Sequence, residues 1–232
     1  ARSKQLSGIV NGIDYNVYNP KTDKDIAVNY SVEDVIKAKA ANKTALQKEL
    51  GLEENPDAFM LGIVSRLTDQ KGLDLVECVL DQICAEDVQL VVLGTGEGKY
   101  QDMFTYYSRK YPERVSANIF YSEALSHRIY ASCDAFLMPS LFEPCGLSQL
   151  MSLRYGTLPI VRETGGLRDT VTPYNEVDGT GTGFSFTNYN AHEMLAIIRY
   201  AKKTYFNDRR AWNEMVLRAM KQDFSWDASA RE

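Results

Sequence analysis

No apolar run in this chain of 232 residues reaches the roughly 20 residues that a bilayer-crossing helix needs, so no membrane span is expected. Positive charge is not in excess. Lys and Arg number 26 against 31 Asp and Glu, a net charge of −5, which argues against a broad nucleic-acid or anionic-membrane surface and leaves room only for a local cationic pocket. The four cysteines, Cys78, Cys84, Cys133 and Cys145, form no C-x-x-C pair and no metal-like spacing. Reduced thiols in a reducing compartment follow. The opening "ARSKQLSG" carries neither a signal peptide nor a methionine and reads as a processed or excised piece. Internal repeats and low-complexity segments are absent as well.

What is present is ordinary globular material. Apolar residues make up 44% and charged residues 25%, enough for one large core or two small ones. Residues 1–30 are polar and turn-rich, with "NGID" at 11–14, "YNP" at 18–20 and then "KTDKD"; they are expected to wrap rather than pack. Ser31, with Asp34 three residues on, resembles a capping box for a helix running to Leu50 and stopped by Gly51. From residue 58 short apolar runs alternate with helix-spaced segments. Strands are expected at 58–65, 88–94, 115–121, 135–140 and 157–162, with helices at 72–85, 98–110, 124–132 and 146–156 between and after them. Two more helices are expected at about 191–205 and 208–222. Strands apolar on both faces, separated by helices, imply a parallel sheet covered on both sides. The right-handed crossover rule makes this a doubly wound, Rossmann-like α/β domain over 31–222.

Ligands in such sheets bind outside the carboxyl ends of the strands, which singles out five loops. "SRLTDQKG" (65–72) carries Arg66 and Lys71. Two cations beside a helix start suit a diphosphate, although two solvated surface charges would look the same. "LGTGEGKY" (93–100) imitates two phosphate motifs and completes neither. The third glycine of G-x-G-x-x-G is Lys99, and a P-loop fails because Tyr100 follows Gly98-Lys99 and Leu93 stands where its first glycine belongs. A tight turn and a close ligand approach both remain open there. Tyr121 ends a strand and either stacks on a nucleobase or caps the core. His127, alone on its helix, is read as structural. In "PSLFEPCGLSQL" (139–150), Pro144 and Gly146 hold Glu143 at a strand-to-helix turn. The free N–H groups of the following helix favour an anion, and Glu143 can reach sugar hydroxyls. Gly165 and Gly166 in "RETGGLRDTV" permit close backbone approach, or make a plain turn.

Taken together, "SRLTDQKGLD", "PSLFEPCGLSQLMSLRYGTLPIVRETGGLRDTV" and "NGIDYNVYNP" closely resemble bacterial glycogen synthases and plant starch synthases. The resemblance runs from about residue 6 to "DFSWDASARE". It implies one half of a GT-B fold, the C-terminal half that binds the donor. It also implies retaining transfer of glucose from ADP-glucose to the non-reducing end of an α-1,4-glucan. By matched position, Arg66 and Lys71 would hold the donor phosphates and act in catalysis together with Glu143. Glu143, Cys145, Gly146, Leu147 and Ser148 would line the glucose-phosphate pocket, with Gly165 and Gly166 beside it. Tyr121 would lie against adenine, and Asn11 would reach the cleft from a hinge formed by 1–30. The expected partners are ADP-glucose or ADP, and a glucan held by a half of the enzyme that this chain lacks. No cofactor and no metal is expected; "DKD" at 23–25 has the D-x-D form but lies in the polar lead-in.

There are three departures from the family pattern. The half carrying most of the acceptor site is absent, so the chain alone should bind nucleotide and transfer little glucose. Many related transferases carry a second glutamate, reaching the ribose, where this chain has Met151; this argues against a sucrose- or trehalose-type enzyme. Residues 223–232 look like the start of a helix that continues further in the family. A non-catalytic nucleotide- or glucan-binding module is the alternative from another class, and the broken G-x-G-x-x-G disfavours a nicotinamide-dependent dehydrogenase. The expected setting is a bacterial cytoplasm, although a trimmed plastid protein would look the same.

Overall fold

A computed structural model describes residues 8–231. Six strands form one parallel sheet: β1 (Phe59–Val64), β2 (Val88–Leu93), β3 (Val115–Asn118), β4 (Ala135–Met138), β5 (Leu158–Arg162) and β6 (Phe184–Phe186), in the order β3-β2-β1-β4-β5-β6. Every residue of β2 and β4 is buried, as are the first five of β1, which is why these runs are apolar without alternation. Nine helices are described: α1 (Val35–Leu50), α2 (Leu73–Ala85), α3 (Gly98–Lys110), α4 (Glu123–Ser132), α5 (Ser148–Arg154), α6 (Gly165–Thr170), α7 (Ala191–Asn207), α8 (Arg209–Lys221) and α9 (Trp226–Ser229). After β1 the chain winds outward through β2 and β3, then crosses back to place β4 on the other side of β1. The switch point therefore lies between β1 and β4, where a crevice opens at the strands' carboxyl ends.

Local chemistry sets the element ends. The apolar spacing of α2 buries Leu73, Val76, Val79, Leu80 and Ile83 on one stripe. Gly51 stops α1 in the left-handed conformation, φ 69°, its N–H bonded back to Gln47 O and Lys48 O. Ser122 caps α4 through Leu125 N, and Asn190 caps α7 through His192 N and Glu193 N.

Several elements depart from the sequence expectation. Asp34 does accept from Ser31 N, at 2.7 Å, but the bond closes a turn and α1 begins only at Val35. β3 stops at Asn118, leaving Phe120 and Tyr121 outside the sheet. β6 was not anticipated; it is only three residues long, with Ser185 interrupting its apolar pattern. α5 is seven residues rather than eleven.

The lead-in packs instead of merely wrapping. Ile13, Ile26 and Tyr30 are buried. Asp23 is buried too, its Oδ2 accepting from Tyr155 OH and lying 2.7 Å from His127 Nδ1. Burial alone would raise the Asp23 pKa, but the bonds to His127 and Tyr155 and the backbone N–H of Asp25 outweigh it and hold the carboxyl below its ordinary 3.8. Asp23, Asp25 and His127 stand close enough to share an ion. Both oxygens of Asp23 are nevertheless engaged by protein donors, which makes this D-x-D a structural anchor tying the lead-in to α4. The other end of the lead-in meets the chain's last segment, where Ile13 N donates to Phe224 O at 2.8 Å. Residues 1–7 and 232, the edges of the expected hinge and terminal helix, lie outside the described residues.

Candidate active site

The β1–α2 loop brings Arg66 and Lys71 to the switch point. A short 3-10 turn, Asp69–Lys71, ends at Gly72 with φ 73°. A side chain on Gly72 would collide with Pro139 O, so glycine here lets the β1 and β4 loops touch. Lys71 Nζ lies 2.6 Å from Glu143 Oε2, and Ser140 Oγ is 3.3 Å from the same oxygen. Glu143 is buried and its partner half-covered. Arg66 spends one N–H on Gln70 Oε1, at 3.3 Å, and is otherwise exposed to the crevice mouth.

Two adjoining depressions make up the crevice. One, of about 190 Å³, is walled by Ser65, Arg66, Lys71, Pro139, Ser140 and Ser148. The other, of about 290 Å³, is walled by Tyr18, Thr95, Phe120, Tyr121, Tyr130 and Met151 among others, and shares Val64, Ser65, Arg66 and Ser148 with the first. The smaller offers two cations and three hydroxyls, and suits phosphate oxygens. The larger is aromatic-walled and suits a flat ring. Tyr121 is 85% exposed, which removes the core-capping alternative for that residue.

The 139–147 loop is held from three sides. Arg162 Nε donates to Ser140 O at 2.9 Å, and its Nη2 to Leu141 O. Leu141 N donates to Gln70 O at 2.9 Å. Gly165, at φ 45°, and Gly166 pack so closely that side chains would collide with Glu143 O and Cys145 O, while Gly166 N donates to Glu143 O at 3.1 Å. The glycine pair thus allows loop-to-loop contact. Gly146 takes φ 72°, and Leu147 precedes α5 without giving its first N–H groups a side-chain cap. Because α5 is only two turns long, its dipole is weaker than an eleven-residue helix would supply.

The structure therefore gathers Arg66, Lys71, Glu143, Ser148 and Tyr121 around one crevice, with Gly165 and Gly166 supporting it. Cys145, Gly146 and Leu147 shape the loop without lining either depression. Asn11 is exposed and lines neither. Ser140 and Arg162 were missed from sequence, as were the Tyr18 and Thr95 walls. Arg162 was the most findable, since it is the cation ending β5 at a strand carboxyl edge.

A third cavity, of about 240 Å³, lies under the opposite edge of the sheet and contains Lys39 and Lys43. Lys43 Nζ is spent on Asp134 Oδ2 (2.7 Å), Tyr205 OH (2.9 Å) and the carbonyls of Pro56 and Ala58. Lys39 Nζ is spent on Thr157 Oγ1 (2.7 Å) and three carbonyls. These lysines brace α1 against the sheet.

A doubly wound parallel sheet with a cationic crevice at its switch point is the Rossmann-like architecture of one half of a GT-B fold. The chain belongs to the glycosyl transferases group 1, whose family model matches residues 43–216. A protein named glycogen synthase from Lachnospira eligens is 70% identical over all 232 residues, which cover 48% of that relative. Another so named, from Clostridium acetobutylicum, is 55% identical over 230 residues, 99% of this chain and 48% of that relative. The catalytic domain of starch synthase IV from Arabidopsis thaliana, solved bound to ADP and acarbose, superposes with a TM-score of 0.91 at 35% identity, covering 99% of this chain and 48% of that one. The chain thus spans about half the length of the relatives it matches.

Proposed function

We propose that this chain is the donor-binding half of a retaining glucosyltransferase, one that moves glucose from ADP-glucose to the non-reducing end of an α-1,4-glucan. The observation that carries the reading is the convergence of Arg66, Lys71, Glu143 and Ser140 at the switch point, opening into an aromatic-walled depression. The names of the relatives and the ADP in the starch synthase structure supply the donor and acceptor class.

When the sugar–phosphate bond breaks, the leaving diphosphate gains negative charge. Groups that bind this increment more strongly than the ground state lower the barrier. Arg66 and Lys71 are placed to do so, and the uncapped N–H groups before α5 add donors. In this reading no divalent ion is needed. Glu143 faces the sugar once Lys71 turns to phosphate. The nucleoside lies along Tyr121 and Met151. Met151 brings no carboxylate to the larger depression, which favours the glycogen- or starch-type reading over a sucrose-type one. The glucan would be held by the other half of the enzyme, so turnover requires both halves. A cytoplasmic setting fits the four free cysteines. Among the described residues no helix is long and apolar enough to cross a membrane.

Calorimetry in EDTA with ADP, UDP and NAD tests the assignment. ADP should bind, UDP should bind more weakly, and NAD should not bind. Preference for NAD, or no ADP binding without a divalent ion, would overturn it.

A further inference from the structure

The glycine-rich segment after β2 completes neither phosphate motif, yet it is built against the loop that carries Arg66 and Lys71. Leu67 pairs with Gly96 in an isolated parallel bridge. Leu67 N donates to Thr95 O at 2.9 Å, and Glu97 N donates back to Leu67 O at 2.8 Å. A side chain on Gly94 would collide with Ser65 O, and one on Gly96 with Leu67 O. These glycines are a seat for the neighbouring loop.

Beyond the seat stands a tether. Asp69 opens the turn that ends at Lys71. Its Oδ1 accepts from Lys99 Nζ at 2.7 Å and from Tyr100 OH, while its backbone N–H donates to Glu97 Oε1 at 3.3 Å. Hydrogen bonds from Lys99 and Tyr100 hold the Asp69 carboxyl below its ordinary pKa. The Tyr100 residue is fully buried, so its hydroxyl is a fixed point on the core. Exposed ion pairs such as Lys99–Asp69 contribute little by themselves; a hydroxyl anchored in the core costs less entropy to hold. Lys99 also neutralises a carboxylate that otherwise sits between Arg66 and Lys71 in the chain, where it would repel a diphosphate.

We propose that Asp69 is a positioning residue: tethered to Tyr100 and Lys99, it holds the 66–71 turn so that Arg66 and Lys71 face the donor diphosphate. The proposal rests on the donor-binding reading above. Neither Asp69 nor Tyr100 lines the crevice itself.

The test uses the full-length enzyme that contains this chain, with ADP and adenosine titrated calorimetrically. Tyr100→Phe and Asp69→Ala should weaken ADP binding about fivefold to tenfold, the cost of ordering a freed, cation-bearing turn on binding, and leave adenosine within about twofold. Asp69→Asn keeps an oxygen at Oδ1 and should recover most of the loss. A merely structural role would lower affinity for both ligands equally. The proposal falls if ADP and adenosine weaken by the same factor, or if Tyr100→Phe, which keeps the buried ring, binds ADP like the parent. Lys71→Ala serves as the control. If it too binds ADP normally, the donor-binding reading itself fails; if it alone weakens ADP, only the tether is lost.

Discussion

Glu143→Gln is expected to tighten ADP binding. In the resting chain Lys71 is already committed, with its Nζ 2.6 Å from Glu143 Oε2 and the two side chains 18% and 10% exposed. A diphosphate must take Lys71 from that carboxylate before it gains the cation. Breaking a partly covered pair costs on the order of 1 kcal/mol net, between the small cost at the surface and the several kcal/mol of the interior. Neutralising Glu143 removes that cost, so ADP should bind about fivefold more tightly. Lys71→Ala acts in the opposite direction. It forfeits a charge-assisted bond of about 1.5–3 kcal/mol, roughly a 10- to 100-fold loss of ADP affinity. Among the described residues it also leaves the Glu143 carboxylate with only Ser140 Oγ, at 3.3 Å, against an incoming anion. The double variant Lys71→Ala/Glu143→Gln removes that repulsion and should recover about threefold or more over the single, a coupling that a double-mutant cycle isolates. Calorimetry on the three variants and the parent reads every arm. If Glu143→Gln weakens ADP as much as Lys71→Ala does, Glu143 grips the nucleotide itself and competition for Lys71 is wrong.

Two further outcomes follow from the supporting shell. Gly165→Ala forces a side chain onto a residue at φ 45° and into Glu143 O; about 1–3 kcal/mol of stability should be lost in urea unfolding, and an unchanged midpoint would refute the packing role. The Asp23 carboxyl is held below 3.8 in the folded protein and returns to that value on unfolding. Its contribution is therefore fully present above pH 3.8 and is lost as the pH falls through the depressed folded value. Asp23→Asn should flatten the acid-unfolding curve in that window, and an identical acid midpoint would show that the anchor is energetically idle.

Most of the sheet was legible because its strands are buried on both faces. Continuous apolar runs bounded by glycine and polar turns leave little choice, and α3 was expected at 98–110, the span it occupies. β6 was not legible, because three residues beside Gly183 give no period to count. The lead-in looked like solvent-facing turn, because its burial depends on polar groups. Asp23 and Tyr30 are buried against residues more than 100 positions away, His127 and Tyr155, and no local pattern encodes that. In the site, charged residues at strand ends were visible, since their position follows from topology. The glycines were visible as unusual but not as to cause. Sequence does not show that Gly94, Gly96, Gly165 and Gly166 let neighbouring loops approach; their packing does.

Lysine and arginine occur at both ends of this sheet, and unspent donors decide which end can take an anion. Lys39 and Lys43 each meet four acceptors, as many as an ammonium with three N–H groups can use or more. Neither lysine keeps a donor for a ligand, and removing either would leave several buried acceptors unpaired. At the other end Lys71 meets Glu143 and Arg66 meets one amide oxygen, as far as the described residues go. A guanidinium carries five N–H groups, so Arg66 keeps most of its capacity in hand. A chain of net charge −5 has no general attraction for a diphosphate. To hold one it would need a few unsatisfied cations gathered in one place, and the parting of β1 and β4 gathers Arg66 and Lys71 there.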